Sequence, residues 1–150
     1  MIKLQSISEL QKKLKQYMRI TFIYLDKIMG KTIFIVDDND ANLVMISSVL
    51  ENDYKVLTMP SAQKMFVLLE KMKPGLILLD IEMPGMTGIE AIAKLKENPE
   101  WKAIPVIFIT GRQDEDLLSE TSKTEAADIV YKPVEAPALL DSVKRHIEAI

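Results

Sequence analysis

One apolar run constrains this chain more than any other feature: Leu76 to Leu79 are all aliphatic, and the run ends abruptly on Asp80. The turn-forming stretch 83–88 follows it. A short apolar run bounded by turn residues is typical of a strand buried on both faces of a parallel sheet. Chemistry in open parallel sheets lies at the carboxyl ends of the strands, so Asp80 is predicted at such an edge. Taken alone, Asp80 would more often be a helix-cap or turn aspartate.

The rest of the chain alternates short apolar runs with stretches of helical periodicity. Predicted strands cover 32–36, 54–59, 76–80, 104–110 and 128–131. Predicted helices cover 41–52, 61–73, 87–96, 114–126 and 137–150. Strands joined through helices pair in parallel by right-handed crossovers. The prediction is therefore an α/β fold with a doubly wound five-stranded parallel sheet and helices on both faces.

Residues 1–30 are predicted to be a basic amphipathic extension of a domain that spans 31–150. A capping-box pattern and helical spacing of apolar residues predict a short amphipathic helix over 7–18. The β-branched and aromatic stretch 20–25 favours a strand or an apolar strap instead. Two interpretations stay open: an arm for docking or for homodimer formation, and an appendage without a role, translated from upstream of a start at Met29.

Composition excludes several kinds of site and partner. The 150 residues include no cysteine and one histidine, His146, which excludes disulfides, thiolate metal sites and His-based clusters or triads. Residues 1–31 carry seven Lys/Arg and two Asp/Glu (+5), whereas residues 32–150 carry twelve and twenty (−8). Direct nucleic-acid binding by this acidic body is not expected. No apolar stretch reaches membrane-spanning length and no secretory signal is evident, which is compatible with a cytoplasmic location.

Polar side chains stand at the ends of four predicted strands. Asp37 and Asp38 follow the first strand, Asp80 ends the third, Thr110 ends the fourth and Lys132 follows the fifth. Parallel strands bring these ends to one edge of the sheet, so the side chains can converge. Carboxylates held close together repel one another unless a hard cation lies between them, and Mg²⁺ prefers such oxygen ligands.

The residue types at this edge predict phosphoryl chemistry. The Asp80 carboxylate can act as a nucleophile that accepts a phosphoryl group. Mg²⁺ and the Lys132 ammonium would neutralise the charge on the transferred oxygens, and the Thr110 hydroxyl can donate a hydrogen bond to the acyl phosphate.

From Lys31 to Ile150 the chain resembles the receiver domain of two-component response regulators, in its single-domain, chemotaxis-regulator-like form. The matching segments are Ile35-Val36-Asp37-Asp38-Asn39, Leu78-Leu79-Asp80-Ile81-Glu82-Met83-Pro84-Gly85-Met86-Thr87-Gly88, Phe108-Ile109-Thr110 and Tyr131-Lys132-Pro133. The resemblance implies a flavodoxin-like sheet with strand order 2-1-3-4-5.

The same resemblance implies a role for each acidic residue. Asp80 would be the phosphoacceptor, taking its phosphoryl group from a phosphohistidine on a histidine kinase or phosphotransfer protein. Asp38 would bind Mg²⁺ directly and Asp37 mainly through water, and the backbone carbonyl of Glu82 would complete the protein ligands.

The resemblance also implies roles near the fourth and fifth strands, with one departure. Thr110 would be the switch hydroxyl, Lys132 the phosphate-binding lysine, and the Lys132-Pro133 bond would be cis. Receivers often carry an aromatic residue three positions before the lysine, and it rotates inward when the threonine engages phosphate. Here that position is Ile129, which has neither ring nor hydroxyl, so the usual coupling to Thr110 is in question.

Glu82 and Arg112 stand two residues beyond the phosphoacceptor and the switch threonine, respectively. In receivers such side chains flank the phosphoryl site. Opposite charges here could pair across its entrance and change water access to the acyl phosphate. The alternative is two solvated surface charges.

The leading prediction is a phosphorylation-controlled signalling module that is not an enzyme. Because the sequence ends with the last predicted helix, output to a downstream protein is expected through the face of the last two helices and the fifth strand. The domain could instead relay phosphate onward or be the receiver portion of a longer chain.

Two alternatives stay open: a receiver-like scaffold that is not phosphorylated, and a haloacid-dehalogenase-type phosphatase. Such phosphatases place a second aspartate two residues after the nucleophile, where this chain has Glu82.

Overall fold

The computed structural model describes residues 6–29 and 31–147. In these ranges helices and strands alternate after the first helix. The elements in chain order are α1 (Ile7–Met29), β1 (Thr32–Val36), α2 (Asp40–Leu50), β2 (Lys55–Met59), α3 (Ala62–Leu69), β3 (Leu76–Asp80), α4 (Gly88–Glu97), β4 (Val106–Thr110), α5 (Glu115–Ser122), β5 (Asp128–Tyr131) and α6 (Ala136–Ile147).

The five strands form one parallel sheet in the order β2-β1-β3-β4-β5. This confirms both the predicted fold class and the strand order that the resemblance implied. Asp80 lies beside Ile109, and Thr110 lies beside Tyr131. The carboxyl ends of the central strands therefore meet at one edge, which is where the polar residues were predicted to converge.

Alternate residues of the central strands supply two apolar layers. Phe34 and Leu79 belong to the layer covered by α3, α4 and α5, whereas Ile35 and Leu78 belong to the layer covered by α2 and α6. Every residue of β1, β3 and β4 is buried. Burial on both faces explains why these strands read as continuous apolar runs instead of alternating ones.

The first helix is longer than predicted. α1 runs unbroken through Ile7–Met29, so the helix predicted over 7–18 is too short, and the strand or strap predicted over 20–25 is wrong. β-branched and aromatic residues lower helix propensity by only tenths of a kcal/mol each, and neither glycine nor proline occurs within α1. Their strand preference depends on packing against neighbouring strands. Residues 20–25 have no such neighbour, because the sheet consists of β1 to β5.

Other boundaries differ from prediction by a few residues. α5 ends at Ser122 instead of 126. Near this end, side-chain hydroxyl groups donate to backbone carbonyls. Thr121 Oγ1 donates to the Leu117 carbonyl at 2.9 Å, and Thr124 Oγ1 donates to the Thr121 carbonyl at 2.7 Å. Residues 148–150 of the predicted last helix lie outside the described residues.

Gly88 lets the start of α4 approach the end of β3. A Cβ at this position would lie 2.8 Å from the Ile81 Cα and closer still to the Asp80 carbonyl oxygen. The Gly88 N–H donates to the Ile81 carbonyl at 2.8 Å. Gly88 is therefore the residue that permits α4 to pack against the backbone of the Asp80 segment.

We expect Gly88→Ala to lower the free energy of unfolding by about 2 kcal/mol, because overpacking against backbone outweighs the usual preference of helices for alanine. Gly111→Ala is the matched control, since a Cβ there would meet nothing within 4 Å and Gly111 lacks a positive φ. Urea unfolding of both variants measures the difference. Equal effects of the two substitutions would show that the close approach at Gly88 is unimportant.

Candidate functional site

Three carboxylates converge at the carboxyl edge of the sheet. One oxygen each of Asp37, Asp38 and Asp80 lies within 4.8 Å of the others. Asp37 and Asp38 follow β1 and Asp80 ends β3, and these two strands are neighbours. Asp37 and Asp80 are buried, whereas Asp38 is exposed. The structure thus brings the predicted acidic residues into one cluster with an open side.

Lys132 directly follows β5, the strand next to β4, and its side chain extends to this cluster. Its Nζ lies 3.2 Å from Asp37 Oδ2 and 3.4 Å from Asp80 Oδ1. The Lys132 N–H donates to the Thr110 carbonyl at 2.8 Å, which extends the β4–β5 pairing to the residue after the strand. The ammonium group therefore bridges the two buried carboxylates.

Asp37 is held by polar groups at the start of α2. Its Oδ1 accepts the Asn39 N–H at 2.9 Å, and its Oδ2 accepts a hydrogen bond from Asn42 Nδ2 at 3.3 Å. The Asn39 side chain caps α2 by accepting the Asn42 N–H. Sequence reasoning missed Asn42. The available signal was this capping pattern, which places Asn42 in the first turn of a helix that begins beside Asp37.

The protonation equilibria reflect this crowding. Burial and then the nearby Asp37 carboxylate raise the pKa of Asp80 to about 6, against the opposing effect of Lys132 and of the Glu82 N–H. Burial alone would lower the pKa of Lys132, but the Asp80 and Asp37 carboxylates outweigh it and raise that pKa above its usual value. The acidic cluster thus carries more negative charge than one ammonium group balances.

The donor set fits a hard divalent cation. Three carboxylate oxygens lie within reach of one another, and the exposure of Asp38 leaves an open side for water ligands. Mg²⁺ takes oxygen ligands and usually keeps several waters beside one or two carboxylates. Burial and the nearby Asp37 carboxylate raise the pKa of Asp80, and a cation bound among these oxygens would oppose both effects.

Thr110 ends β4, the strand next to β3, and Arg112 follows it by two residues. Thr110 is buried, and its Oγ1 accepts the Arg112 N–H at 3.1 Å. Arg112 Nε lies 3.4 Å from Glu82 Oε1, so the pairing hypothesised from the sequence is present. Arg112 also donates from Nε and Nη2 to the two oxygens of Asp114, both at 3.0 Å.

Asp114 is a second residue that sequence reasoning missed. It caps α5, with Oδ1 accepting the Leu117 N–H at 2.8 Å. The hydrogen bonds from Arg112 hold the pKa of Asp114 below its usual range. The signal was an aspartate immediately before the helix, which marks a cap but does not reveal the arginine that it also binds.

The structure places the remaining predicted residues as follows. The Lys132-Pro133 bond is cis, as the resemblance implies. Ile129 is half-buried and packs against the apolar layer beneath α3, α4 and α5, and Tyr131 is exposed. The roles predicted for the site residues, including ligation by the Glu82 carbonyl, stay predictions. Within residues 6–29 and 31–147, no helix has the length and apolar character needed to cross a membrane.

Comparisons with known proteins agree with this architecture. The family described as response regulator receiver domain matches residues 33–144. Protein PilH of Pseudomonas aeruginosa is 32% identical over 112 residues, covering 74% of this chain and 93% of that protein. A crystal structure of the signal receiver domain of a signal transduction histidine kinase from Syntrophus aciditrophicus superposes with a TM-score of 0.76 at 27% identity, covering 80% of this chain and 92% of that chain.

One similar protein is much longer than this chain. The probable cyclic di-GMP phosphodiesterase of Vibrio cholerae is 36% identical over 133 residues, covering 87% of this chain. This chain spans only 30% of the length of that relative. The family match over residues 33–144, the strand order and the near full-length match to PilH lead to one conclusion. The chain belongs to the response regulator receiver domain family.

Proposed function

We propose that this chain is a phosphoacceptor in a histidine-to-aspartate phosphorelay, with Asp80 as the residue that is phosphorylated. The observation that carries the proposal is the position of Asp80: a buried carboxylate beside Asp37 and Asp38, with Lys132 Nζ 3.4 Å from its Oδ1. An Asp80 oxygen attacks the phosphorus of a phosphohistidine, the P–N bond breaks, and the imidazole leaves with its electron pair and takes up a proton. The product is an acyl phosphate on Asp80.

Other residues of the site have supporting roles in this proposal. Asp38 would hold Mg²⁺ directly, Asp37 would hold it mainly through water, and the Glu82 backbone carbonyl would add a ligand. When bound, the cation would supply positive charge to the phosphoryl oxygens. Lys132 contributes a second positive charge to the same oxygens.

We propose that the Thr110 hydroxyl donates a hydrogen bond to the phosphoryl group once Asp80 is phosphorylated. Its Oγ1 already accepts the Arg112 N–H, so its own hydroxyl hydrogen is free to turn toward a phosphoryl oxygen. That movement would shift the segment between β4 and α5. Since Ile129 offers no aromatic ring, we assign the first step of the response to this segment and not to a rotating ring.

The proposal extends to partners, location and domain limits. Receiver domains act with histidine kinases and with downstream targets. We assign the phosphodonor here to a histidine kinase or phosphotransfer protein in the cytoplasm, and output to a downstream protein at the face formed by α5, β5 and α6. Residues 31–150 would form the receiver domain and 1–30 a separate extension. No phosphodiesterase activity is assigned, because this chain spans only 30% of the relative named for it.

Phosphorylation by acetyl phosphate tests the proposal. The chain should gain the mass of one phosphoryl group when incubated with acetyl phosphate and Mg²⁺, and should not when the cation is chelated or when Asp80→Asn is used. Absence of a mass gain in the unsubstituted chain would favour the scaffold interpretation. Repeated release of phosphate without a stable acyl phosphate would favour the phosphatase.

The Glu82–Arg112 pair gives a separate prediction. We expect Glu82→Ala and Arg112→Ala each to speed loss of phosphate from Asp80, because removing the 3.4 Å pair opens the entrance to water. The change should stay below about fivefold, since an exposed ion pair contributes up to about 1 kcal/mol. Decay of the phosphorylated mass gives the rate.

The matched control for this pair is Glu97→Ala, which removes a carboxylate at the end of α4, away from the entrance. The double variant Glu82→Ala/Arg112→Ala should decay no faster than the faster single variant. Unchanged decay in both single variants would show that these are solvated surface charges.

A further inference from the structure

The first helix carries a large apolar surface that the rest of the described chain does not cover. Every side chain from 6 to 25 is exposed. The large apolar side chains among them are between 47% and 75% exposed. They are Ile7, Leu10, Leu14, Tyr17, Met18, Ile20, Phe22, Ile23, Tyr24 and Leu25. In proteins most of the stability of a helix comes from packing of its apolar face, so this uncovered face needs a surface to cover it.

Most of these residues share one face of α1. At about 100° per residue they occupy a sector about 160° wide, centred near Leu14, and Ile20 and Ile23 lie outside it. A coiled-coil seam is narrower, because it uses two positions in seven. The width of the sector therefore favours a flat or extended surface over one partner helix.

The opposite sector of the helix is basic. Between residues 6 and 25 the charged side chains are Lys12, Lys13, Lys15 and Arg19 against the single acid Glu9, which gives a net charge of +3. The domain that follows is acidic, with −8 over residues 32–150. The positive charge is thus concentrated on the same element that carries the uncovered apolar face.

We propose that α1 lies on the surface of an anionic membrane, with its apolar face among the acyl chains and its cations among the headgroups. A broad apolar face with aromatic side chains, opposite a polar face rich in lysine and arginine, is typical of helices that lie in the membrane interface. Anionic headgroups complement the charge of +3. Two copies paired through the apolar face would offer each other no complementary charge, since Glu9 is the one acid within 6–25.

Sedimentation of the full chain with vesicles tests this proposal. The chain should sediment with vesicles of equal parts phosphatidylglycerol and phosphatidylcholine and stay in the supernatant with phosphatidylcholine alone. Added salt should weaken the binding. Lys12→Gln/Arg19→Gln should lower the partition coefficient by about 30-fold, at about fivefold for each cation near the surface. Leu14→Gln/Met18→Gln should remove the binding.

Matched controls come from exposed positions on the receiver. Lys64→Gln/Lys94→Gln removes two cations and Val67→Gln removes an apolar side chain, and both should leave vesicle binding unchanged. Glutamine keeps helix propensity close to that of the residues it replaces. Phosphate uptake from acetyl phosphate should be unchanged in the α1 variants, which separates this proposal from the function of Asp80.

Three results would overturn membrane binding by α1. One is equal binding to both kinds of vesicle, and another is loss of binding in the receiver controls that matches the loss in the α1 variants. The third is absence of vesicle binding by the unsubstituted chain. If that chain is also a dimer by light scattering, and Leu14→Gln/Met18→Gln makes it monomeric, the occupant of the apolar face is a second copy.

Discussion

With divalent cations chelated, Asp80→Asn should raise the free energy of unfolding at pH 8 by about 2 kcal/mol. The folded-state pKa of Asp80 is about 6, compared with the ordinary value of 3.8. A carboxyl group whose pKa is raised by folding stabilises the fold fully below pH 3.8 and loses that contribution as pH rises through about 6. Two pKa units correspond to about 3 kcal/mol, and the weaker hydrogen bonding of an amide with Lys132 reduces the gain.

The measurement is urea unfolding of both proteins at pH 4 and at pH 8 with a chelator present. The advantage of Asp80→Asn should be near zero at pH 4 and greatest at pH 8, and the exposed Asp53→Asn should show no such dependence. Adding Mg²⁺ at pH 8 should stabilise the unsubstituted protein more than the variant. If Asp80→Asn raised the free energy of unfolding by the same amount at both pH values, the gain would not come from removing a buried negative charge beside Asp37.

The sheet could be predicted because its central strands are buried on both faces. Leu76 to Leu79 and the run 106–109 contain only apolar residues, and a strand of this kind has to lie in the interior of the sheet with both faces covered. The convergence of Asp80, Thr110 and Lys132 follows from the same topology, since parallel strands share one carboxyl edge.

Other features depend on interactions that local pattern does not encode. The continuation of α1 through 20–25 was missed because β-branched residues favour strands only where a sheet receives them. The hydrogen bonds Asn42–Asp37 and Arg112–Asp114 depend on side-chain direction at the first turns of α2 and α5. Sequence identifies such residues as caps or surface charges, and only the structure shows which other residue each one contacts.

Lys132→Ala should be among the most damaging single substitutions in the receiver. It removes the ammonium group that bridges Asp37 and Asp80 at 3.2 and 3.4 Å and leaves two buried carboxylates without that counter-charge. Removing one partner of a buried ion pair costs about 3 to 5 kcal/mol. The Lys132 side chain is 26% exposed, so we expect a loss of about 3 kcal/mol at pH 8 with cations chelated.

Lys132→Ala should also slow phosphorylation of Asp80, because the same ammonium group is proposed to neutralise the charge on the transferred oxygens. The rate of phosphate uptake from acetyl phosphate should drop by about 100-fold at saturating Mg²⁺, the loss typical of removing one preorganised electrostatic contact. Lys94→Ala, at an exposed position on α4, is the matched control and should change neither the free energy of unfolding nor the rate of phosphate uptake.

Mg²⁺ should restore the stability of Lys132→Ala more than it stabilises the unsubstituted protein, because a cation can replace the missing charge between the carboxylates. If stability recovers while phosphate uptake stays slow, Lys132 acts on the phosphoryl group itself. If both the stability of Lys132→Ala and its rate of phosphate uptake match those of the unsubstituted protein at saturating Mg²⁺, the role of Lys132 is confined to offsetting the repulsion between Asp37 and Asp80.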